Sequence, residues 1–340
     1  MQFFSNTHID FLGKRKIFYI VSLTITIAGI LAAFLRGVDL GIDFEGGAEA
    51  DIRFEQVVDI ADVRAAITAA DFKGAEVKSG GENDVLIRVR TPEDAEQRLN
   101  DPEQGPSQVL GARLEAAVRT VQESAEVREI RTVGPKVSQE LKSQAILAII
   151  VSVIAILLYI TFRFEWVYGL GAITALLHDV LVAFSLTVLC NGLFGLNLEM
   201  NQALLAAFLT VVGFSINDTV IIFDRIRENK DLHRGENLLM LMNRSINEVL
   251  PRTINTSLTI VLVLLVLLIF SGETLQGLAF TMLVGVITGT YSSIYIASAL
   301  VVDTMVRRGK LDPNAEGDFK EHVLEARDRK RSGVPAQAEA

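Results

Sequence analysis

The chain has 340 residues, half of them hydrophobic, with 32 basic against 41 acidic side chains and a formal net charge of −9. A mean hydropathy of +0.37 belongs to an integral membrane protein, and the acidic balance argues against nucleic acid as a partner. The one cysteine, Cys190, excludes an intrachain disulfide.

Residues 1–16 form an N-terminal segment that ends in Lys14, Arg15 and Lys16. Six apolar stretches follow, each near the roughly 20 residues that a bilayer requires. They fall at about 17–35, 143–162, 166–190, 200–223, 252–270 and 276–302. The first lacks a small-residue cleavage site and leads into acidic, folded-looking sequence, so it reads as a retained anchor. Basic residues cluster before the first span, at Arg163, from Arg225 to Arg244, and at Arg307, Arg308 and Lys310. Alternating spans put all four clusters on one side, which places both termini in the cytoplasm.

The segment 36–142 then lies outside. Residues 37–140 hold 12 basic and 22 acidic side chains, so the acidity belongs to this domain. The alternation of Ala50, Ile52 and Phe54 with Asp51, Arg53 and Glu55 predicts a strand over 48–55. A helix is expected at 59–70 and two strands at 75–78 and 84–90 around a Ser-Gly-Gly-Glu-Asn turn. A Pro/Gly-rich loop at 101–105 leads to a helix over 106–124 and a last strand over 127–133. The order βαββαβ is that of a ferredoxin-like unit. With no histidine, cysteine or paired-acid signature, this α+β domain reads as a binding or lever module. Its entry, Gly41-Ile42-Asp43-Phe44-Glu45-Gly46-Gly47, fits either a tight turn or a hinge.

The fold class is therefore an α-helical integral membrane protein, with six transmembrane helices and one exterior domain between the first two. The spans from 143 to 302 form the rest of the membrane domain. The tail, 303–340, has the composition of disorder from Leu311 onward. Residues 236–251 repeat apolar side chains at helical spacing and predict an amphipathic helix on the membrane surface or against the bundle.

Asp218 lies within the fourth span, where a carboxyl is costly and marks a functional position. It stands about 7–8 Å from the cytoplasmic edge at 1.5 Å per residue. Arg252 is placed at the same boundary on the fifth span, below a polar face of Asn255, Thr256 and Thr259. Asp218 and Arg252 are thus expected to pair, and to switch on protonation, with Asn217 and Thr219 flanking the acid. His178 and Asp179 fall near the middle of the third span, as a second proton station or a polar bundle contact. Gly277, Thr281, Gly285, Gly289, Ser293 and Ala297 form a small-residue ridge on the sixth span, with Gly285 and Gly289 at its centre for helix packing. An intramembrane aspartyl protease would need a facing dyad. The estimated depths of Asp179 and Asp218 differ, and the glycine-rich context of such an aspartate is absent. Ser215 has no nucleophile-elbow context. No metal-ligating cluster is evident.

Five motifs now coincide in order and depth: GIDFEGG at 41–47, FRFEW at 162–166, ALLHDV at 175–180, GFSINDTVIIFDRIREN at 213–229 and LPRTINTSL at 250–258. From 11 to 308 the chain resembles the SecD/SecF family of bacterial protein-export subunits, relatives of the resistance–nodulation–division exporters. The resemblance implies a bacterial cytoplasmic (inner) membrane location and a non-enzymatic role in proton-driven export. It implies SecD, the SecYEG channel, SecA, YajC/YidC, the translocating polypeptide and membrane lipid as partners. Protons would be the coupling ion, with no other cofactor. Asp218 matches the family's proton-carrying aspartate and Arg252 its arginine. Gly41, Asp43, Gly46 and Gly47 match the motif just outside the first helix. The alternative is half of an exporter for lipids or small molecules.

Overall fold

The computed structural model describes residues 7–72, 75–79, 83–89, 106–193, 196–233, 236–271 and 273–308. The expected turn at 80–82, the strand end at Arg90, the loop at 101–105 and the tail from 309 lie outside these residues.

Six helices among the described residues are long and apolar enough to cross a membrane. The first, Arg15–Arg36, leads into the small domain. Four strands form its sheet: β1 Gly47–Arg53, β2 Glu76–Ser79, β3 Asp84–Val89 and β4 Glu126–Val133. They lie in the order β2-β3-β1-β4, with every neighbouring pair antiparallel. Helices Ile60–Ala69 and Pro106–Arg119 occupy the two crossovers, which completes the ferredoxin-like βαββαβ order. The period-2 pattern explains the core. Ala48, Ala50 and Ile52 of β1, with Phe54 just past its end, are buried together with Val85, Ile87 and Val89 of β3, and Val63, Ile67 and Leu114 of the helices cover them. Asp59 caps its helix by accepting from the Ala61 N–H at 2.8 Å.

The remaining membrane helices are Pro135–Arg163, Trp166–Cys190, Gln202–Leu232, Leu238–Phe270 and a sixth from Glu273 to Arg307. Four differ from the expected spans, the fourth helix by running on past 223 to Leu232. The second begins immediately after β4 and Gly134, with Pro135 in its first turn, where a missing N–H is harmless. The predicted amphipathic helix at 236–251 is not separate: it is the first half of the fifth helix. Leu239, Met242, Ile246 and Leu250 pack it into the bundle, and Pro251 sits inside without ending it. The sixth helix widens to a π-helical turn at Ser293–Ser298 before resuming. Such turns concentrate at functional sites.

The third, fourth and sixth helices form the centre, and the second is peripheral. Two-thirds of the sixth helix's most apolar window is buried, against 6% for the second. The N-terminal segment closes the bundle opposite the domain. The Phe11 and Leu12 amides donate to Asn243 Oδ1, and Arg15 pairs with Asp303 at 3.0 Å.

The small-residue ridge meets the fourth helix. A Cβ on Gly285 would stand 2.1 Å from Val211 Cγ2, and one on Gly289 3.2 Å from Ser215 Cβ. Both helices approach to a distance that only glycine allows at Gly285.

Candidate functional site

Asp218 is 7% exposed and opens onto a cavity of about 460 Å³ between the fourth, fifth and sixth helices. Asn217 lines it from the fourth helix, Thr256 and Ser257 from the fifth, and Gly289 and Thr290 from the sixth. Thr290 Oγ1 donates to Ser257 Oγ at 2.7 Å, which ties two walls together. Most of the exposed lining is apolar, but the cavity is large enough for water, and Asp218, Asn217, Thr256 and Ser257 offer it polar partners. A carboxyl there exchanges one proton with its surroundings: neutral it donates a hydrogen bond, ionised it only accepts.

The expected Asp218–Arg252 ion pair is not formed. Arg252 is on an exposed face of the fifth helix, and Asp218 makes no ion pair among the described residues. The depth estimate fixed how far along its helix each residue lies, but not the rotation about the axis. Thr256, one turn above, is the member of the predicted polar face that reaches the cavity, and its hydroxyl donates back to the Arg252 carbonyl at 2.9 Å. Asn255 and Thr259 are exposed. Thr219 is buried at 1% exposure, and its hydroxyl has no hydrogen-bond partner among the described residues.

A second cluster adjoins the first. Asp179 is fully buried. Its Oδ2 accepts from Ser215 Oγ at 2.5 Å and Ser292 Oγ at 2.7 Å, and its Oδ1 lies 2.8 Å from His178 Nδ1. His178 Nε2 lies 3.4 Å from the Tyr291 hydroxyl, which is 3.0 Å from Ser22 Oγ on the first helix. Ser215 also lines the Asp218 cavity, so the two clusters share a residue. Sequence reading found His178 and Asp179 but not their partners. Ser292 and Tyr291 are unremarkable alone, and only the crossing of helices assembles them.

The third polar assembly ties the domain to the loop between the third and fourth helices. The connector forms one helical turn, Ile42–Glu45, with Gly46 and Gly47 at positive φ of 77° and 137°. Leu40 and Met200 form a parallel bridge. The Gly41 N–H donates to the Met200 carbonyl at 2.8 Å, and the Met200 N–H to the Asp39 carbonyl at 2.8 Å. Asp43 Oδ2 accepts from the Gln202 N–H at 2.9 Å, satisfying a free donor of the fourth helix. Gly41 admits this contact, since a Cβ there would stand 2.9 Å from that of Asn201.

Glu199, 4% exposed, pairs with Arg88 of β3 and with Lys78 of β2, the latter at 2.5 Å. Arg88 reaches Glu49 at 3.2 Å and the Leu40 carbonyl at 3.3 Å. Of the two readings of the glycine-rich entry, the observed geometry is a pinned turn. On the sheet's open side, Arg53 beside Asp84 (2.7 Å) holds that carboxyl below its usual range, while burial, aided by the Asp84 charge, pushes the Asp51 carboxyl up.

The fold and these polar clusters define a multi-pass membrane protein with an α+β domain on one face and a buried carboxyl cavity in the bundle. A model of the SecD/SecF protein-export family, C-terminal part, matches residues 113–307, and a SecD/SecF GG-motif model matches residues 32–56. The protein translocase subunit SecF of Rhodothermus marinus is 38% identical over 90% of this chain and 96% of its own length. That of Pseudomonas aeruginosa is 36% identical over 86% of this chain and 90% of its own length. The crystal structure of SecDF from Thermus thermophilus superposes with a TM-score of 0.74 at 35% identity, covering 88% of this chain and 39% of that one. SecDF in its super-membrane-facing form gives 0.64 at 33% identity, covering 91% of this chain and 40% of that one. The chain thus spans about two-fifths of the SecDF chains it matches. It belongs to the SecF family of protein translocase subunits.

Proposed function

We propose that this chain is a proton-motive-force-coupled subunit of the Sec translocase. It acts with a SecD-type subunit to promote late translocation across the bacterial cytoplasmic membrane, with both termini cytoplasmic. The observation that carries the reading is Asp218: a buried membrane carboxyl that faces a cavity between three helices and, among the described residues, has no cation paired to it. Such a group is costly to retain unless its protonation is used. Arg252, one turn from the cavity wall, is the cation that would swing toward Asp218 when the acid ionises; its long side chain spans a helical turn.

Matching a SecDF chain over two-fifths of its length supports a SecD-like partner for the remainder. The bundle agrees. Ile20, Ile27 and Phe34 of the first helix and Leu147, Ile154 and Phe162 of the second are exposed apolar side chains that lipid or a partner's helices would cover. The SecYEG channel, SecA, YajC/YidC and the emerging polypeptide complete the proposed assembly. No substrate chemistry is assigned to the chain: it is read as a motor subunit, with protons as the coupling ion and no cofactor.

The test is Asp218→Asn, which keeps the shape and removes the titrating group. In vesicles containing the chain and its SecD partner, the stimulation of export by a proton gradient is expected to fall at least tenfold while the complex still assembles. Full stimulation at normal expression would overturn the reading.

A further inference from the structure

The His178–Asp179 cluster is not explained by Asp218 alone. Asp179 lies fully inside the bundle, and its one ionic contact among the described residues is the adjacent imidazole. Three hydrogen-bonding groups from three helices converge on it: His178 of the third, Ser215 of the fourth and Ser292 of the sixth. A carboxyl so enclosed holds its position against any small shift of these helices. A packing role alone needs one such bond; it does not need a continuous chain.

The cluster is continuous. It runs from Ser215 in the cavity wall to Asp179, then through His178 and Tyr291 to Ser22. The groups that face the His178–Asp179 pair are Ser215, with Asp218 one turn beyond it, from the fourth helix; Ser292 and Tyr291 from the sixth; and Ser22, through Tyr291, from the first. Arg15 and Asp303, at the face opposite the domain, pair with each other instead. Gly289 keeps the approach open, because a Cβ there would crowd Ser215 and stand 3.6 Å from Asp179 Oδ2. The chain ends on the first helix, whose far end leads directly into the pinned connector.

We infer that the His178–Asp179 pair is a second proton-accepting station, fed from the Asp218 cavity through the Ser215 hydroxyl and sensed by the first membrane helix through Tyr291 and Ser22. The inference rests on the proposed proton coupling. Each transfer balances. Ser215 gives its hydroxyl proton to Asp179 Oδ2 and takes one from the cavity side, so the hydroxyl is restored and one proton has moved. The proton stays on Oδ2 and Asp179 becomes neutral, so the bond that its Oδ1 accepts from the His178 Nδ1–H loses its charge assistance and weakens. His178 Nε2 remains the acceptor for the Tyr291 hydroxyl, which in turn accepts from Ser22 Oγ. Proton arrival thus loosens the imidazole that links the third helix, through Tyr291 of the sixth, to the first.

The experiment uses the full chain with its SecD partner in membrane vesicles, with two readouts: proton-driven export across a pH series, and the infrared carboxyl band that changes on a pH step. Asp179→Asn is expected to remove one carboxyl band and to cut stimulation at least tenfold. Ser215→Ala is expected to slow export about tenfold, with Ser215→Thr restoring it. Tyr291→Phe, which leaves Asp179 untouched, is expected to displace the midpoint of the pH profile. If Asp179→Asn fails to accumulate, Ser215→Ala and Tyr291→Phe decide alone. Wild-type pH profiles in both, while Asp218→Asn abolishes stimulation, would overturn the second station and leave the proposed function standing. Full stimulation in Asp218→Asn would instead remove the proton-coupling reading on which it rests.

Discussion

Replacing the two sides of the Glu199–Arg88 contact is expected to have unequal effects. Glu199→Gln removes one acid, but Arg88 keeps Glu49 at 3.2 Å and Glu76 at 3.4 Å, and Lys78 keeps Asp39 at 3.7 Å. The cations stay paired, so the cost falls below the 3–5 kcal/mol of a buried pair broken outright, at about 2 kcal/mol. Arg88→Gln strands a carboxylate that is 4% exposed, with Lys78 as its remaining cation, and also loses the bond to the Leu40 carbonyl. Its cost is expected near 3 kcal/mol. The readout is amide hydrogen exchange of Gly41 and Met200, whose N–H groups make the two backbone bonds of the joint. Local opening should speed exchange about 30-fold in Glu199→Gln and over 100-fold in Arg88→Gln. Glu129→Gln, on the exposed β4 strand, is the control. Equal rates in all three variants would refute the idea that buried charge, rather than backbone bonding alone, holds the domain to the loop.

Other consequences are open to simpler tests. Gly285→Leu should drive the sixth helix from the fourth, because even a Cβ meets Val211 at 2.1 Å; purified protein should lose most of its thermal stability or fail to assemble, and normal assembly would place that face elsewhere. Leu114→Ala, in the fully buried domain core, should cost about 2–5 kcal/mol in unfolding of the domain, with little effect if the site collapses. The two perturbed carboxyls of the sheet act in opposite directions. Asp84 contributes stability at neutral pH that is lost as pH falls through its depressed pKa, whereas Asp51 favours the fold at low pH and ceases to as pH rises through its raised one. Asp51→Asn should therefore raise the domain's melting temperature at neutral pH and leave it nearly unchanged below pH 4; a fall at neutral pH would contradict the sign.

What could be read from the sequence follows from which forces are local. The β1 alternation and six long apolar runs report burial along one segment, and both gave the correct elements. The five motifs carried the family. Misread boundaries arise where a helix leaves the apolar region yet stays helical. Pro135–Gln144 and Leu238–Leu250 are too polar to look like bilayer spans, yet both stay helical: Pro135 opens the first, and the second is capped by Asn237 and packed against the bundle. Arg252 shows the other limit. Rise per residue gives depth, but the direction of a side chain around the axis is set by neighbouring helices. For the same reason the serine partners of Asp179 come from two other helices, and those of Glu199 from strands over a hundred residues away in the chain. No local pattern encodes such pairings.

The joint also changes how the domain can work. A lever on a loose glycine hinge would swing independently of the bundle, yet here Leu40, Gly41 and Asp43 are bonded to Met200 and Gln202 at the head of the fourth helix. The fourth helix is the one that carries Asp218. A shift of that helix on protonation would therefore move the loop, the connector and the sheet together, with bending confined to Gly37 (φ 83°) behind the joint or to Gly134 at the domain's exit. A crosslink separates the two mechanisms. Cysteines at Leu40 and Met200, with Cys190 replaced, sit across a β-bridge, where Cα atoms are about 5 Å apart and within disulfide reach. Because the joined parts already move as one body, oxidation should leave proton-driven export within about twofold of the reduced protein. A second crosslink, from the domain to an outer loop that is not part of the joint, should block it. If the Leu40–Met200 crosslink alone stops export and reduction restores it, the joint opens during each cycle, and the glycine-rich connector is a hinge after all.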